Sequence, residues 1–217
     1  MLAGRVVLVT GGGSGVGAAI ALGLRDAGAT VAVTDGPIAS REDADRAFAE
    51  SAESTGPLDA VVHALVDPEA LVAAPLADTN PASWDGRCEA VLRAALWCCQ
   101  AAHDALRGRG GRIVFVTPTV GLTGGAGLVP YATAVEGMRA LAKTAARQWG
   151  GQGIAVNCVA PPVELVGPAS GPDVAVPAFG RLPDARTDVA PVVATLVGDA
   201  FVTGTTVVVD GGMVMAP

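Results

Sequence analysis

Thr10 to Gly17 reads TGGGSGVG, between a short apolar run and a helical pattern. Glycines let the backbone turn tightly and approach a pyrophosphate. The N-terminus of the following helix offers free N–H donors and the positive end of its dipole. Gly11, Ser14, Gly15, Val16 and Gly17 are therefore candidate phosphate-binding residues. Asp35 closes the next strand-like run, eighteen residues after Gly17. An acid there can accept hydrogen bonds from the adenosine ribose hydroxyls and repels a 2′-phosphate, which favours NAD(H) over NADP(H). A solvated loop acid is an equal alternative for Asp35, because the short interval to Asp59 leaves open whether VAVTD ends the second strand or fuses it with a missing third.

Other reactive residues are few. Tyr131 is the one tyrosine, Lys143 the one lysine, and His63 and His103 the two histidines. Neither the histidines nor Cys88, Cys98, Cys99 and Cys158 have zinc-ligand spacing, so no metal site is expected. The cysteines read as small buried hydrophobes.

These residues need a scaffold, and the pattern supplies one. Arg5–Thr10, Thr30–Thr34, Leu58–Ala64, Arg112–Thr117, Ile154–Val159 and Thr205–Asp210 read as strands. Helices are expected over Gly15–Ala27, Ser40–Glu53 (with a serine cap and early acids), Pro81–Leu106, Pro130–Trp149 and Thr187–Val197. A Pro/Gly-rich loop covers Ala160–Asp184. Strands alternating with helices predict an α/β fold, a Rossmann-type doubly wound parallel sheet, in one domain over residues 1–217. Cys88–Ala102 is apolar nearly all round, which predicts burial on the sheet and against a second subunit. Glu136, Arg139, Lys143 and Arg147 mark a wet stripe on the helix that Tyr131 heads.

The chain is 51% hydrophobic and 16% charged, with mean hydropathy +0.47, which excludes a disordered protein. Net charge −7 argues against nucleic acid and anionic membrane as partners. With no signal-like start and no apolar run of about 18–20 residues, the expectation is a soluble cytoplasmic protein.

TGGGSGVG, WDGRCEAVLRAALWCCQAA, GGRIVFVTPTVGL, Tyr131 heading a helix, GIAVNCVAP and FVTGTTVVVDGG together resemble the short-chain dehydrogenase/reductase family over almost the whole chain. The resemblance implies a nicotinamide cofactor, carbonyl reduction or alcohol oxidation, and a dimer or tetramer. It also implies an Asn-Ser-Tyr-Lys tetrad, in which Tyr donates the proton, Ser binds the carbonyl oxygen, Lys holds the ribose and lowers the Tyr pKa, and Asn positions a water.

Tyr131 matches the tyrosine. The lysine, serine and asparagine positions hold Val135, Pro118 and Val91, and Lys143 lies twelve residues beyond Tyr131. Thr117 and Thr119 flank Pro118 but alternate in direction on a strand end. The family's Asn-Asn-Ala-Gly after the third strand is His63-Ala64-Leu65-Val66 here, and its Pro-Gly after the fifth is Pro161-Pro162. Only twenty-four residues separate Asp35 from Asp59, too few for a strand and two helices, so six strands are expected.

An unassisted tyrosine with a pKa of about 10 is a poor base at neutral pH, and losing a tuned acid–base group typically costs about 10²–10⁴ in rate. The favoured expectation is a catalytically impaired, non-catalytic subunit, self-associated or joined to an active homologue. The alternatives are an NAD(H)-dependent oxidoreductase for keto/hydroxy or quinone-like molecules, and a nucleotide-binding sensor.

Overall fold

Each β-branched run becomes a strand of one parallel sheet in a computed structural model that describes residues 2–167 and 176–215. The strands are β1 (Val6–Thr10), β2 (Thr30–Thr34), β3 (Ala60–His63), β4 (Gly111–Val116), β5 (Ile154–Ala160) and β6 (Thr206–Val208). Their order, β2-β1-β3-β4-β5-β6, bears out the expected six-stranded doubly wound sheet. Thr10 is level with Thr34 on one side and His63 on the other. The glycine loop, Asp35 and the segment after His63 therefore leave the sheet together, where the winding reverses and such folds bind ligands.

Strand alternation divides the core in two. Val7, Val9, Val62 and Val114 face α1 (Gly15–Asp26) and α7 (Ala190–Val197), whose Ile20, Leu24, Val193 and Leu196 complete that layer. Leu8, Val61, Phe115 and Cys158 face α2 (Arg41–Thr55), α4 (Ala90–Leu106) and α6 (Val129–Trp149).

Capping sets several boundaries. Ser40 Oγ accepts from the Asp43 N–H at 3.1 Å, so α2 starts where its cap predicts. Asn80 caps the short helix α3 (Pro81–Trp84), which runs through a π turn at Asp85–Glu89 into α4. A π turn at Ala185–Val189 leads into α7, starting two residues before the expected Thr187, because the Asp184 carboxylate accepts from the Arg186 and Thr187 N–H groups. The short helix α5 (Val120–Thr123) and the 3₁₀ turns at Pro68–Leu71 and Leu76–Asp78 lie outside the expected elements. Residues 168–175 of the Pro/Gly-rich loop lie outside the described residues.

Two expectations change. Most of the apolar circumference of α4 is covered within the chain, while Leu96 remains 39% exposed. One side lies on the sheet, and Leu92 packs where a side chain on Gly137 of α6 would stand 2.7 Å from it. On α2, Arg41 donates to Gln100 and Asp104 of α4. This helix does not by itself require a second subunit. Arg139 is not part of a wet stripe, being only 9% exposed. Its Nε and Nη1 lack hydrogen bonds among the described residues, and Nη1 lies 3.3 Å from a Glu136 carboxylate oxygen.

With six strands, β2 forms one edge of the sheet. Val33 there is 42% exposed, and Arg25 Nη2 donates to the Val31 carbonyl at 3.0 Å.

A Cβ on Gly17 would stand 1.9 Å from the Gly11 carbonyl oxygen, whereas one on Gly86 meets nothing within 4 Å. Thermal or denaturant unfolding should show Gly17→Ala destabilised by about 3 kcal/mol. Gly86→Ala should gain about 0.5–1 kcal/mol, because alanine restricts the unfolded chain and favours the helix.

Candidate functional site

The loop from Gly11 to Gly17 joins β1 to α1 over the crevice. Gly11, at φ +72°, packs so closely on the next crossover that a Cβ would lie 2.6 Å from Leu65 Cα. Ser14 stands at the N-cap of α1, yet its side chain makes no cap hydrogen bond, and no acid occupies the first turn. The first amides of α1 thus keep their capacity for an anion, aided by the helix dipole. Val16 contributes backbone there and buries its side chain in the core.

Asp35 follows β2 directly and folds back over the loop. A Cβ on Gly13 would lie 2.6 Å from the Asp35 carboxylate carbon, so glycine at 13 creates the space the acid occupies. Asp35 also walls a cavity of about 440 Å³, a size usual for small-molecule sites. Ile38, Leu65, Val66, Val91 and Trp97 form its apolar sides. The bulky residues after β3 line this cavity and do not fill it. His63, only 1% exposed, is part of its wall.

Burial holds His63 neutral, pushing its pKa down to about 4. Its Nδ1 lies 2.8 Å from Thr10 Oγ1, and its ring meets Phe115 edge-on at 5.7 Å. The sequence shows His63 only as the first residue of the altered segment after the third strand, and it does not single out Trp97 or Ile38. The signal for His63 is its position at the end of a strand beside the glycine loop.

The segment Asp67–Ala74 builds the other side of the crevice. Asp67 caps the turn Pro68–Leu71 by accepting from the Glu69 N–H at 2.9 Å. From there the chain crosses to the opposite loops, where the Ala74 N–H donates to the Gly127 carbonyl at 2.9 Å. Leu71 packs so tightly on Gly167 that a Cβ there would lie 2.3 Å from its Cδ1. Arg87 Nη1 secures the segment through the Val72 carbonyl at 2.9 Å. Ala70 and Leu71 join Val120, Leu128, Tyr131 and Val135 in one apolar cluster, flanked by Leu65, Val66, Val163 and Val166.

Tyr131 is 2% exposed, and burial pushes its phenol above the ordinary value. Among the described residues nothing hydrogen-bonds its hydroxyl. Val135, one turn on, is buried against Gly121, and Lys143, twelve residues beyond Tyr131, is exposed. Pro118 is buried. The buried Thr117 hydroxyl lies near the Cys158 thiol without hydrogen-bond geometry, and Thr119 is buried at the start of α5. Thus Val91 joins Asp35 in the wall of this cavity, whereas Tyr131, Val135 and Pro118 do not line it.

The cysteines are free and buried. Burial raises Cys98 and Cys99 to about 12 and Cys158 to about 11, so they remain thiols at neutral pH. Among the described residues no three His, Cys, Asp or Glu side chains gather as a metal site would need, and no helix is long and apolar enough to cross a membrane.

Residues 36–214 match a family described as enoyl-(acyl carrier protein) reductase. The chain is 29% identical over 258 aligned residues to an NADPH-dependent aldehyde reductase-like protein, chloroplastic, of Arabidopsis thaliana, covering 98% of this chain and 95% of that one. It is 33% identical to D-xylose 1-dehydrogenase of Caulobacter vibrioides, covering 74% and 72%. It is also 31% identical to (3R)-3-hydroxyacyl-CoA dehydrogenase of Rattus norvegicus, covering 99% and 98%.

Burial of His63 has a pH signature. Its native pKa lies below the unfolded value of 6.5, so as pH falls from 6.5 toward 4 the unfolded chain binds a proton that the native chain refuses. Stability is lost over that window, by up to about 3 kcal/mol at 1.36 kcal/mol per unit. The stability advantage of wild type over His63→Gln should therefore shrink between about pH 7 and about pH 4.5 in parallel denaturant titrations. An advantage constant with pH would refute the buried neutral histidine.

Proposed function

The chain belongs to the short-chain dehydrogenase/reductase family, and from that premise we propose that it is a catalytically silent member acting as a subunit of an assembly. The burial of Tyr131 in an apolar cluster, with Val135 and Pro118 at the expected lysine and serine positions, carries this reading. A tyrosine acts on a carbonyl only when it touches the substrate and its proton is tuned by neighbours. Here the phenol is raised by burial, has no cation one turn away, and lies in an apolar cluster.

The partner is a second short-chain dehydrogenase subunit, another copy or an active homologue. Exposed apolar residues support this: Leu96 on α4, and Phe201, wholly exposed before β6. The relatives' names describe active reductases and dehydrogenases, so the silence belongs to this chain's substitutions.

A second reading has one observation in its favour. The uncapped α1 N-terminus and Asp35 over Gly13 fit the adenosine and diphosphate part of NAD(H). An NAD(H)-dependent oxidoreductase for a keto/hydroxy or quinone-like molecule would need such a site, but also a reaction centre open to substrate. A sensor that binds nucleotide without turnover uses the same features and needs no such centre.

Purified chain with NADH or NADPH and a panel of ketones, aldehydes and quinones should give no turnover above buffer, and Tyr131→Phe should change nothing. Turnover at about 1 s⁻¹ or faster, within the usual enzyme range, would overturn the silent reading. Purification from the native host should recover a companion family member with Tyr and Lys four residues apart, and recovery of the chain alone would remove the active homologue from the proposal.

A further inference from the structure

We propose that the pole of the sheet opposite the crevice holds a second binding site, for a small, multiply charged phosphate compound with no apolar part. The inference goes beyond the silent reading above and does not depend on it, since none of the residues involved lines the crevice or stands at a tetrad position.

A cavity of about 620 Å³, within the range of small-molecule sites, lies where β1, β3, β4 and β5 begin. Apart from glycines, its walls are Arg5, Arg109, Arg112, Asp59, Asp199 and Gln152. No apolar residue is among them, so a nucleobase or an acyl chain finds no surface to rest on. A hydrophilic anion does. Three of the chain's fourteen Lys and Arg residues meet at this one cavity, in a chain of net charge −7.

How each guanidinium is held decides what it can offer. Arg112 Nε donates to the Gly198 carbonyl and Nη1 to the Gly111 carbonyl, each at 3.0 Å. These bonds fix the guanidinium, and carbonyl oxygens do not neutralise its charge. Asp59 Oδ2 accepts from the Val6 N–H at 2.8 Å, while Oδ1 lies 3.6 Å from Arg109 Nη2, beyond hydrogen-bond length. Arg5 pairs with Asp199, whose side chain is 82% exposed. Such an exposed pair adds little to stability, so an incoming oxyanion can replace Asp199 on Arg5 with small loss.

The charges set the class of ligand. With Asp199 displaced, three arginines face Asp59 alone, which leaves two net positive charges in the walls. A doubly charged phosphate balances them and a single carboxylate does not. Guanidinium groups also match phosphate oxygens with paired, charge-assisted hydrogen bonds. Neutralising helix ends is a different task for arginines at this pole, since helix C-termini attract cations. Arg112 performs it at Gly198, just beyond α7, and it requires neither Arg109 nor a cavity.

Calorimetric titration of the full chain with inorganic pyrophosphate and with orthophosphate, at an ionic strength fixed by sodium chloride, tests this. Pyrophosphate should bind with a dissociation constant below about 1 mM, and orthophosphate about tenfold more weakly. Arg109 is exposed, and Gly151, also in the wall, has no left-handed φ and nothing within 4 Å of an added Cβ, so both sites accept substitution. Arg109→Gln and Gly151→Asp should each weaken pyrophosphate about tenfold or more with the fold intact by circular dichroism. Gly151→Ala, which adds no charge, should keep the affinity within about twofold. Ser14→Asp, which sets a carboxylate at the α1 N-terminus, should leave it unchanged. No binding of pyrophosphate at millimolar concentration would overturn the inference, as would orthophosphate binding equally well. Binding lost in Ser14→Asp but kept in Arg109→Gln and Gly151→Asp would also overturn it, by placing the anion at the glycine loop.

Discussion

The carbonyl of Gly11 presses against the α-carbon of Gly17, an approach that leaves no room for a side chain. That contact fixes where β1 ends and where α1 begins. With α1 seated, Ile20 and Leu24 reach the sheet, and Gly23 lets the helix lie against Ala190 at the head of α7. The same turn aims the first amides of α1 into the crevice and brings Gly13 beneath Asp35. One steric condition therefore serves both the α1 and α7 layer and the anion site, and packing and binding cannot be separated by substitution there.

The segment after β3 divides the crevice. Where a binding cleft needs small residues, the chain has Leu65 and Val66, and then a capped turn that carries Leu71 across to the opposite loops. Burying a leucine side chain is worth about 1.5–3 kcal/mol, so the buried Leu71 of this segment contributes to stability. Displacing it would expose Leu71 and its neighbours in the cluster around Tyr131. The cavity on the other side is lined by residues that follow β2 and β3, with Asp35 and the end of β3 at His63 in its wall.

Much of the scaffold is legible in the sequence because it is locally encoded. Strand and helix order follow from side-chain periodicity, Ser40 and its early acids announce α2, and the short interval between Asp35 and Asp59 gives six strands. The glycine loop and Asp35 are legible as types at a spacing, but the packing of the carboxylate over Gly13 is not, since it depends on where β2 stops relative to β1. The segment after β3 escapes a sequence reading for a different reason. Its Asp67-Pro68 start is a recognisable turn signal, yet its partners Gly127 and Gly167 are remote in sequence. Arg139 misleads because helical periodicity reports the angle about an axis and carries no information about the β-strand beside it. Likewise α4 reads as over-apolar alone, and only the neighbouring α2 and α6 show what covers it.

Shortening the sheet has left β2 without an outer neighbour, a situation that in many proteins invites unwanted strand addition and aggregation. Here the border is only five residues long, and the Arg25 guanidinium already occupies the Val31 carbonyl as a gatekeeper. A foreign peptide would have to displace a charged group to gain a brief ladder. The loss of a strand thus leaves a border with its own deterrent against fibril-like growth, although Val33 lies open to water.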